Sequence, residues 1–291
     1  MQPKIGFIGF GEAAFNIAKG LAGEGLTGIR AYDKFWNVAP QAELVQQRAK
    51  EAQVELAPSL QELIEAAEIV ISSVSANLVV PLAKESSPYL RPGQIYVDLN
   101  SAGPDTKVAA NEIIAPKALF VDVAVMGTVP GNGHKVPMLA SGAGAPLFVE
   151  KMKAYGMNLV LLEGPAGKSS ASKMFRSIFM KGFVTLMLEA VVAGHKYGIE
   201  DDVLDSIEET LTAGDFRTIV NGMLARGVIH SERREHEMDE VIATLKNLKV
   251  DSTMSEATKA KLRWCTDQRF REHFKGVPPK DFHEIFAVLG K

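Results

Sequence analysis

The 291-residue sequence predicts an α/β fold, in which a doubly wound parallel sheet is followed by an all-α domain. In the first half, short apolar runs alternate with helical patterns, which indicates βαβ units. A glycine-rich loop joins the first apolar run to the first helical pattern. Beyond Gly164 the patterns are helical only. We therefore expect a domain of alternating elements at residues 1–163 and a helical domain at residues 164–291.

A series of apolar runs of strand length predicts the strands of the first domain. They are Lys4–Ile8, Gly28–Tyr32, Val54–Ala57, Ile69–Val74, Gln94–Leu99, Leu119–Val125, Val136–Ala140 and Asn158–Leu162. The helices predicted between them are Ala13–Gly23, Pro40–Lys50, Leu60–Ala67, Val79–Tyr89 and Pro146–Tyr155. The segment from Lys168 to Tyr197 has an apolar stripe with helical spacing. It predicts one helix of about 45 Å, which is long enough to bridge two domains.

The composition excludes several classes of protein. Apolar residues make up 46% and charged residues 23%, with a net charge of −3, so a nucleic-acid partner is not expected. Cys265 is the single cysteine, which rules out an internal disulfide. No run approaches eighteen apolar residues without a charged or polar interruption, so we expect no membrane span. The N-terminus leads into a strand and not into a signal segment, which predicts a cytoplasmic protein.

The glycine loop after the first strand predicts a dinucleotide site. Gly9 permits a tight turn, Gly11 lets the backbone approach a pyrophosphate, and the small Ala14 allows close packing of helix and strand. The phosphates would meet the positive end of the following helix. The residues of this predicted loop are Gly9, Phe10, Gly11, Glu12 and Ala13.

Asp33 ends the second predicted strand and indicates which dinucleotide is bound. A carboxylate at this position accepts hydrogen bonds from the ribose hydroxyls and repels a 2′-phosphate, which favours NAD over NADP. Lys34 beside it softens that preference, so NADP remains the alternative.

Four separated motifs resemble the β-hydroxyacid dehydrogenase family, which includes 3-hydroxyisobutyrate and 6-phosphogluconate dehydrogenases. The cofactor loop is the first, and Asp98–Pro104 is similar to the family's Asp-x-Ser-Thr-x-x-Pro segment. Asp122–Thr128 stands where the family has Asp-Ala-Pro-Val-Ser-Gly-Gly. Gly164–Ser177 resembles the catalytic helix, with Lys173 at the position of its lysine.

The resemblance implies a Rossmann domain, a helical domain and an active site in the cleft between them. It implies that the nicotinamide half of the cofactor is flanked by Ser73, Val74 and Ser75. It also implies substrate contacts from Ser101, Met126, Gly127, Thr128, Arg176 and Ser177. A homodimer, with the helical domains as its interface, is expected from the same resemblance. Beyond Asp201 the tail is similar to a smaller helical domain carried by other members.

The chain departs from the family pattern at the substrate site. Met126 replaces the substrate-binding serine, while Arg176 and Ser177 replace two asparagines. Arg176 is suited to gripping a carboxylate or phosphate with two parallel hydrogen bonds, which predicts an acidic substrate. Pairing of Arg176 with an acidic residue of the second domain is the structural alternative.

Lys173 is the predicted general acid/base for hydride transfer between NAD(P) and a small acidic β-hydroxyacid. We expect burial, and the positive charge of Arg176 three residues along the helix, to lower its pKa. In oxidation Lys173 would then accept the hydroxyl proton. Imine reduction, decarboxylation of a sugar acid and a non-catalytic cofactor-binding regulator are the alternatives.

The remaining polar clusters predict no further chemistry. The charged run at residues 230–240 is interpreted as a solvated helix face, with Arg233 or Arg234 reaching the cleft as the less favoured alternative. Glu232, His236 and Glu240 share a helix face but lack a second ligand cluster, so no metal site is expected.

Overall fold

The computed structural model describes residues 2–290, and its first part is built on one eight-stranded sheet. The strand order is β3-β2-β1-β4-β5-β6-β7-β8. The strands are β1 Ile5–Ile8, β2 Arg30–Tyr32, β3 Glu55–Leu56, β4 Ile69–Ser72, β5 Ile95–Asp98, β6 Leu119–Val125, β7 Met138–Ser141 and β8 Leu159–Leu161. Each lies within, or within one residue of, a predicted apolar run, and the predicted fold class is confirmed.

Helices connect these strands and cover both faces of the sheet. They are α1 Glu12–Gly23, α2 Gln41–Glu51, α3 Leu60–Ala66, α4 Val79–Ser86, α5 Pro104–Ile114 and α6 Ala145–Lys153. Two sets of buried apolar side chains, one on each face, form the core. Strands buried on both sides are continuously apolar, and all four residues of β1 and of β4 are indeed buried.

The sheet is parallel except where β7 joins it. β6 and β7 pair antiparallel, with Val123 opposite Ala140. Between them lie residues 126–137, whose regular structure is a 3-10 turn at Gly133–Lys135. This connection has no crossover helix, so the chain returns antiparallel along the neighbouring strand. The entirely parallel sheet expected from the sequence is therefore corrected at this strand.

The helix α7, Lys168–Tyr197, has the predicted bounds and is shared by two compact units of the chain. The first unit ends at Ser177 and the second begins at Ile178. The second unit contains the further helices α8 Glu200–Thr212, α9 Phe216–Ile229, α10 Ser231–Asn247, α11 Thr253–Asp267, α12 Phe270–His273 and α13 His283–Leu289. Its own small core is formed by Val228, Ile229, Phe270 and Ile285.

Within residues 2–290, α7 is the one helix that is long and apolar enough to cross a membrane. The sequence-based expectation overlooked this, because Lys181 and Glu189 are too widely spaced to break its apolar character. Near its start, however, α7 also carries Lys173 and Arg176, and charged side chains at membrane depth are costly. The helix follows directly on the eight-stranded sheet, whose strand order is that of a doubly wound fold.

Candidate active site

The strand order reverses between β1 and β4, and the loops after these two strands form the cofactor side of the site. In open α/β sheets, ligands bind beyond the carboxyl ends of the strands at such a switch point. The glycine loop follows β1, and Ser73 follows β4. The N–H of Ser73 donates to the carbonyl oxygen of Ile8 at 2.8 Å, which joins the two loops.

The two loop glycines meet different surroundings, and both fit a pyrophosphate. Gly9 has a φ of +82°, and a Cβ added there would lie 2.4 Å from the carbonyl oxygen of Ser73. A Cβ on Gly11 would meet no atom within 4 Å, so the space at the start of α1 is open. Gly11 is the N-cap residue of α1, and because it has no side chain it offers no side-chain acceptor to the first-turn N–H groups. The first-turn N–H groups of α1 are therefore directed at a space that suits an anion.

Asp33 holds the glycine loop in place. Its Oδ2 accepts a hydrogen bond from the N–H of Phe10 at 2.8 Å, and its Oδ1 accepts one from the N–H of Phe35 at 2.9 Å. Each carboxylate oxygen keeps further lone pairs, so the side chain is still able to accept a ribose hydroxyl. The N–H of Phe10 is thus already engaged, and its contribution to a cofactor site is confined to the shape of the loop.

A pocket of about 520 Å³ opens beside these loops. Gly9, Gly11 and Asp33 line one side, and the segment Ser73–Ser75 lines another. The predicted cofactor-binding residues Glu12 and Ala13 lie just beyond, in the first turn of α1. Apolar side chains complete the wall: Ile8, Leu60, Val74, Leu78, Pro81 and Leu82. A mostly apolar cavity with a few polar groups is typical of a cofactor site.

Lys173 lies in the first turns of α7 and is joined to the loop after β5. Its Nζ donates a hydrogen bond to the Oγ of Ser101 at 2.8 Å. These two residues come from two of the sequence motifs and are separated by 72 positions in the chain. The structure therefore brings the predicted acid/base and one predicted substrate residue into direct contact.

The environment of Lys173 lowers its pKa below the usual value of 10.5. Burial is the larger cause, because it disfavours the charged form. The positive charge of Lys107 acts in the same direction. This differs in one respect from the expectation, which assigned the charge effect to Arg176.

The three residues of the predicted substrate loop follow β6. The N–H of Met126 donates to the carbonyl oxygen of Pro137 at 2.8 Å, so this group is not free for a substrate. Gly127 and Thr128 are exposed, and within residues 2–290 their N–H groups have no hydrogen-bond partner. None of these residues is hydrogen-bonded to Lys173 in the part of the chain that the structure describes.

Arg176 and Ser177 lie one turn further along α7. Arg176 is exposed and Ser177 is half-buried. Among the described residues, Arg176 forms no ion pair, and its pairing with an acidic residue of the second domain stays a prediction.

The charged run at residues 230–240 lies mostly on α10. Arg233 donates to Glu237 one turn along the helix at 2.5 Å, and both side chains are exposed. Glu235, by contrast, is buried and lies 3.3 Å from Arg263. Within residues 2–290, no three His, Cys, Asp or Glu side chains are grouped as metal ligands.

Sequence reasoning missed the charged group beneath the site. Lys107 is fully buried on α5, a helix that the sequence patterns did not predict. It contacts Asp98 and lies 3.4 Å from Asp122, and both of these residues are fully buried. Pro104 was a usable signal for this helix, because proline is favoured in the first turn.

Two family models match separate parts of the chain. Residues 4–102 match the family described as NADP oxidoreductase coenzyme F420-dependent. This match includes the glycine loop, Asp33 and the loop after β4. Residues 194–265 match a domain of unknown function, DUF1932.

Three solved structures resemble nearly the whole chain. A conserved hypothetical protein from Sinorhizobium meliloti 1021 is 36% identical, with 90% of this chain and 88% of that chain covered and a TM-score of 0.67. The conserved protein MTH1747, described as structurally similar to 3-hydroxyacid dehydrogenases, is 32% identical, with 92% and 98% covered and a TM-score of 0.64. An imine reductase from Aspergillus terreus is 18% identical, with 96% and 97% covered and a TM-score of 0.74. At that identity the last likeness shows the fold alone.

The resemblance read from the sequence motifs is confirmed by these matches. Relatives above 30% identity extend over nine-tenths of the chain, and the oxidoreductase match coincides with the loops that fit a dinucleotide. The cofactor is therefore NAD(P). The chain belongs to the 3-hydroxyacid dehydrogenase-like family of NAD(P)-dependent oxidoreductases.

Proposed function

We propose that the protein transfers a hydride between NAD(P) and a small acidic β-hydroxyacid, with Lys173 as the general acid/base. The observation that carries this proposal is the contact between the Nζ of Lys173 and the Oγ of Ser101, together with the lowered pKa of that lysine. A surface lysine has no reason to be half-buried in such a contact. A group that exchanges protons with a bound substrate does.

The bound cofactor supplies the hydride acceptor or donor, and the chain's own residues handle the proton. In oxidation, the neutral amine of Lys173 accepts the proton of the substrate hydroxyl. In reduction, its ammonium donates that proton to a carbonyl oxygen. The Oγ of Ser101 accepts a hydrogen bond from Lys173, so its own O–H is left to donate to the substrate oxygen. Ser101 then orients the oxygen at which the proton is exchanged.

The acidic substrate class is supported by Arg176, one turn along α7 from Lys173, and by the loop after β6. Arg176 is exposed and free of ion pairs among the described residues, so its guanidinium is available for a carboxylate. Within residues 2–290 the N–H groups of Gly127 and Thr128 have no hydrogen-bond partner, and together with the hydroxyl of Thr128 they suit the carboxylate beside the reacting carbon. Met126 and Ser177 contribute an apolar wall and a short polar side chain, respectively. A substrate with one or two anionic groups fits this set.

Asp33 supports NAD as the preferred cofactor. Its carboxylate lines the pocket next to the glycine loop, where it repels a 2′-phosphate. Lys34 lines the same pocket and reduces the discrimination, so NADP is the second cofactor of this proposal.

We also propose that residues 164–291 form a substrate and dimerisation domain of a cytoplasmic homodimer. Several large apolar side chains of α7 are exposed in the single chain, among them Phe175, Ile178 and Leu188. Large apolar side chains exposed along one helix are consistent with an interaction surface. A second copy of the chain is the occupant that the family resemblance implies.

The test of the reaction class is a substrate panel followed by the absorbance of reduced nicotinamide. Mono- and dicarboxylic β-hydroxyacids are assayed with NAD and NADP, and the corresponding oxoacids are assayed with the reduced cofactors. Turnover of at least one β-hydroxyacid that is abolished in Lys173→Ala supports the proposal. Turnover only with cyclic imines or with sugar acids would replace the substrate class.

Imine reduction is the second candidate, and one observation favours it. The substrate loop carries the apolar Met126 where the hydroxyacid dehydrogenases have a serine. Retention of Lys173 argues for alcohol chemistry, which is why the hydroxyacid reading comes first. If the protein binds NAD(P) but turns over none of these compounds, the third alternative, a non-catalytic cofactor-binding regulator, would apply.

A further inference from the structure

Three fully buried charged residues lie beneath the candidate site. The proposed mechanism does not use them. Lys107 on α5 lies between Asp98, the last residue of β5, and Asp122 on β6. The ammonium donates two hydrogen bonds to Asp98, one to its carbonyl oxygen at 2.9 Å and one to its Oδ1, and it forms an ion pair with the Oδ1 of Asp122 at 3.4 Å. Burying such charges is costly, and they are retained only when they are fully paired.

Asp122 connects this cluster to the helix that carries Lys173. Its Oδ2 accepts hydrogen bonds from the N–H of Gly167 at 3.1 Å and from the N–H of Ser170 at 3.0 Å. Its Oδ1 accepts the hydroxyl of Ser170 at 2.6 Å. The carboxylate thus caps the first turn of α7, where a negative charge is favoured by the helix dipole. Lys173 lies three residues after Ser170 on that helix.

Asp98 connects the cluster to the cofactor side. Its Oδ2 accepts the side-chain N–H of Asn100 at 2.9 Å, and its Oδ1 accepts the backbone N–H of Asn100 at 3.0 Å. The Oδ1 of Asn100 in turn accepts the N–H of Val74 at 2.5 Å. The loop after β4, which lines the pocket, is therefore linked to the same ammonium. Ser101, the partner of Lys173, directly follows Asn100.

We propose that Lys107 is a positioning residue for the reaction: its buried ammonium ties the cofactor-side loop to the first turn of α7 and holds a fixed positive charge within reach of the Lys173 amine. This inference rests on the proposed function of Lys173. One ammonium then serves two purposes, since it sets the geometry of the Ser101–Lys173 pair and opposes the charging of Lys173.

The charged groups around Lys173 are two positive side chains and two carboxylates. Arg176 is on its own helix, Lys107 is on α5, and Asp98 and Asp122 are on the neighbouring strands. Removal of Lys107 leaves the two carboxylates, which favour the charged amine. Removal of the Asp98 charge leaves the positive charge of Lys107 without its nearest counter-ion, and this disfavours the charged form of Lys173. The two substitutions are therefore expected to shift the pKa of Lys173 in opposite directions. Simple loosening of the site would instead hydrate Lys173 and raise its pKa in both variants.

The experiment measures the pKa of Lys173 in the free protein, without turnover. The rate of acetylation of Lys173 by acetic anhydride is followed against pH by mass spectrometry in the wild type, Lys107→Met and Asp98→Asn. We expect Lys107→Met to raise the pKa of Lys173, and Asp98→Asn to lower it. The exposed Lys117, just beyond α5, supplies the control Lys117→Met, which should leave the pKa unchanged.

An unchanged pKa in folded Lys107→Met, or a rise in Asp98→Asn, would overturn the inference. If Lys107→Met does not fold, Asp98→Asn decides alone: a lower pKa supports the proposal, while an unchanged or higher one rejects it. The labelling needs neither substrate nor cofactor. A protein that shows both shifts but oxidises no hydroxyacid would thus refute the proposed function and leave this electrostatic link intact.

Discussion

At the scale of single residues, the role proposed for Lys173 rests on one hydrogen bond and on the surroundings of its amine. The hydrogen bond to Ser101 fixes the direction of its amine, while burial and the charge of Lys107 lower its pKa. The sequence motif predicted the lysine, and its helix predicted some burial. The charge of Lys107 was beyond reach, because the two lysines are separated by 66 positions and meet only through the sheet.

Replacing Lys173 by alanine removes the proposed proton-transfer group and leaves the glycine loop untouched. We expect turnover to fall by about 10²–10⁴-fold with little change in cofactor affinity. Steady-state kinetics with a substrate from the panel, and titration of the cofactor by protein fluorescence, measure the two effects. Lys168→Ala is a matched control, since Lys168 lies on the same helix and donates to the backbone carbonyl of Glu163. Near-wild-type turnover in Lys173→Ala would contradict the assignment.

The lowered pKa of Lys173 also predicts how the two directions of reaction depend on pH. Oxidation requires the neutral amine, so kcat/KM should rise with pH through an inflection below 10.5. Reduction requires the ammonium, so kcat/KM should fall over the same interval. Profiles measured in both directions with one substrate pair test this. Inflections of the same sign would show that another group titrates.

Arg176 is expected to discriminate between substrates by charge. Arg176→Asn should raise the KM of a dicarboxylic hydroxyacid by about tenfold or more, and that of a monocarboxylic one by less, because a charge-assisted pair contributes roughly 1.5–3 kcal/mol. Michaelis constants for the two compounds provide the measurement. Equal changes in both would remove the acidic-substrate assignment.

At the scale of secondary-structure elements, the turn from β1 into α1 depends on the lack of a side chain at Gly9. A methyl group there would clash with the backbone of Ser73, and the φ of +82° is unfavourable for alanine. We expect Gly9→Ala to lower the free energy of unfolding by about 2–4 kcal/mol and to weaken cofactor binding. Denaturant unfolding and cofactor titration measure these effects.

Gly23, at the other end of α1, provides a control. It is exposed near the end of α1, and an added Cβ would meet no atom within 4 Å. Gly23→Ala should therefore leave the free energy of unfolding unchanged or raise it by up to about 1 kcal/mol. Equal destabilisation by both substitutions would mean that the close approach of Gly9 to Ser73 is not the cause.

The strands and most helices were predictable because their signals are local. A strand buried on both faces is a continuous apolar run, and β1 and β4 show this in the sequence itself. α5 was missed because its inner face includes the buried Lys107 in place of an apolar residue. A charged residue at a core position breaks the periodicity on which the prediction of a helix depends.

At the scale of the whole molecule, the exposed apolar face of α7 predicts self-association. Ile178 is 72% exposed and Leu188 63% exposed, which is unusual for such side chains on a soluble monomer. We expect a mass of twice 31.5 kDa in sedimentation equilibrium, shifting to one chain in Ile178→Gln/Leu188→Gln. Val277→Gln, at a similarly exposed apolar residue away from α7, should leave the dimer intact. A monomeric wild type would contradict the proposed dimer.

The sequence by itself determined the class of the molecule: the sheet with its glycine loop, the helical second part, the NAD(P) cofactor and the motif that carries Lys173. These depend on local patterns of apolar residues, glycines and caps, which can be recognised before the chain is folded. Only the tertiary structure decided that Lys173 meets Ser101 and that β7 runs antiparallel. It also revealed that Asp98, Lys107 and Asp122 meet beneath the site. Such contacts join residues far apart in the chain, and the energy of a buried charge depends on partners that only the folded sheet brings together.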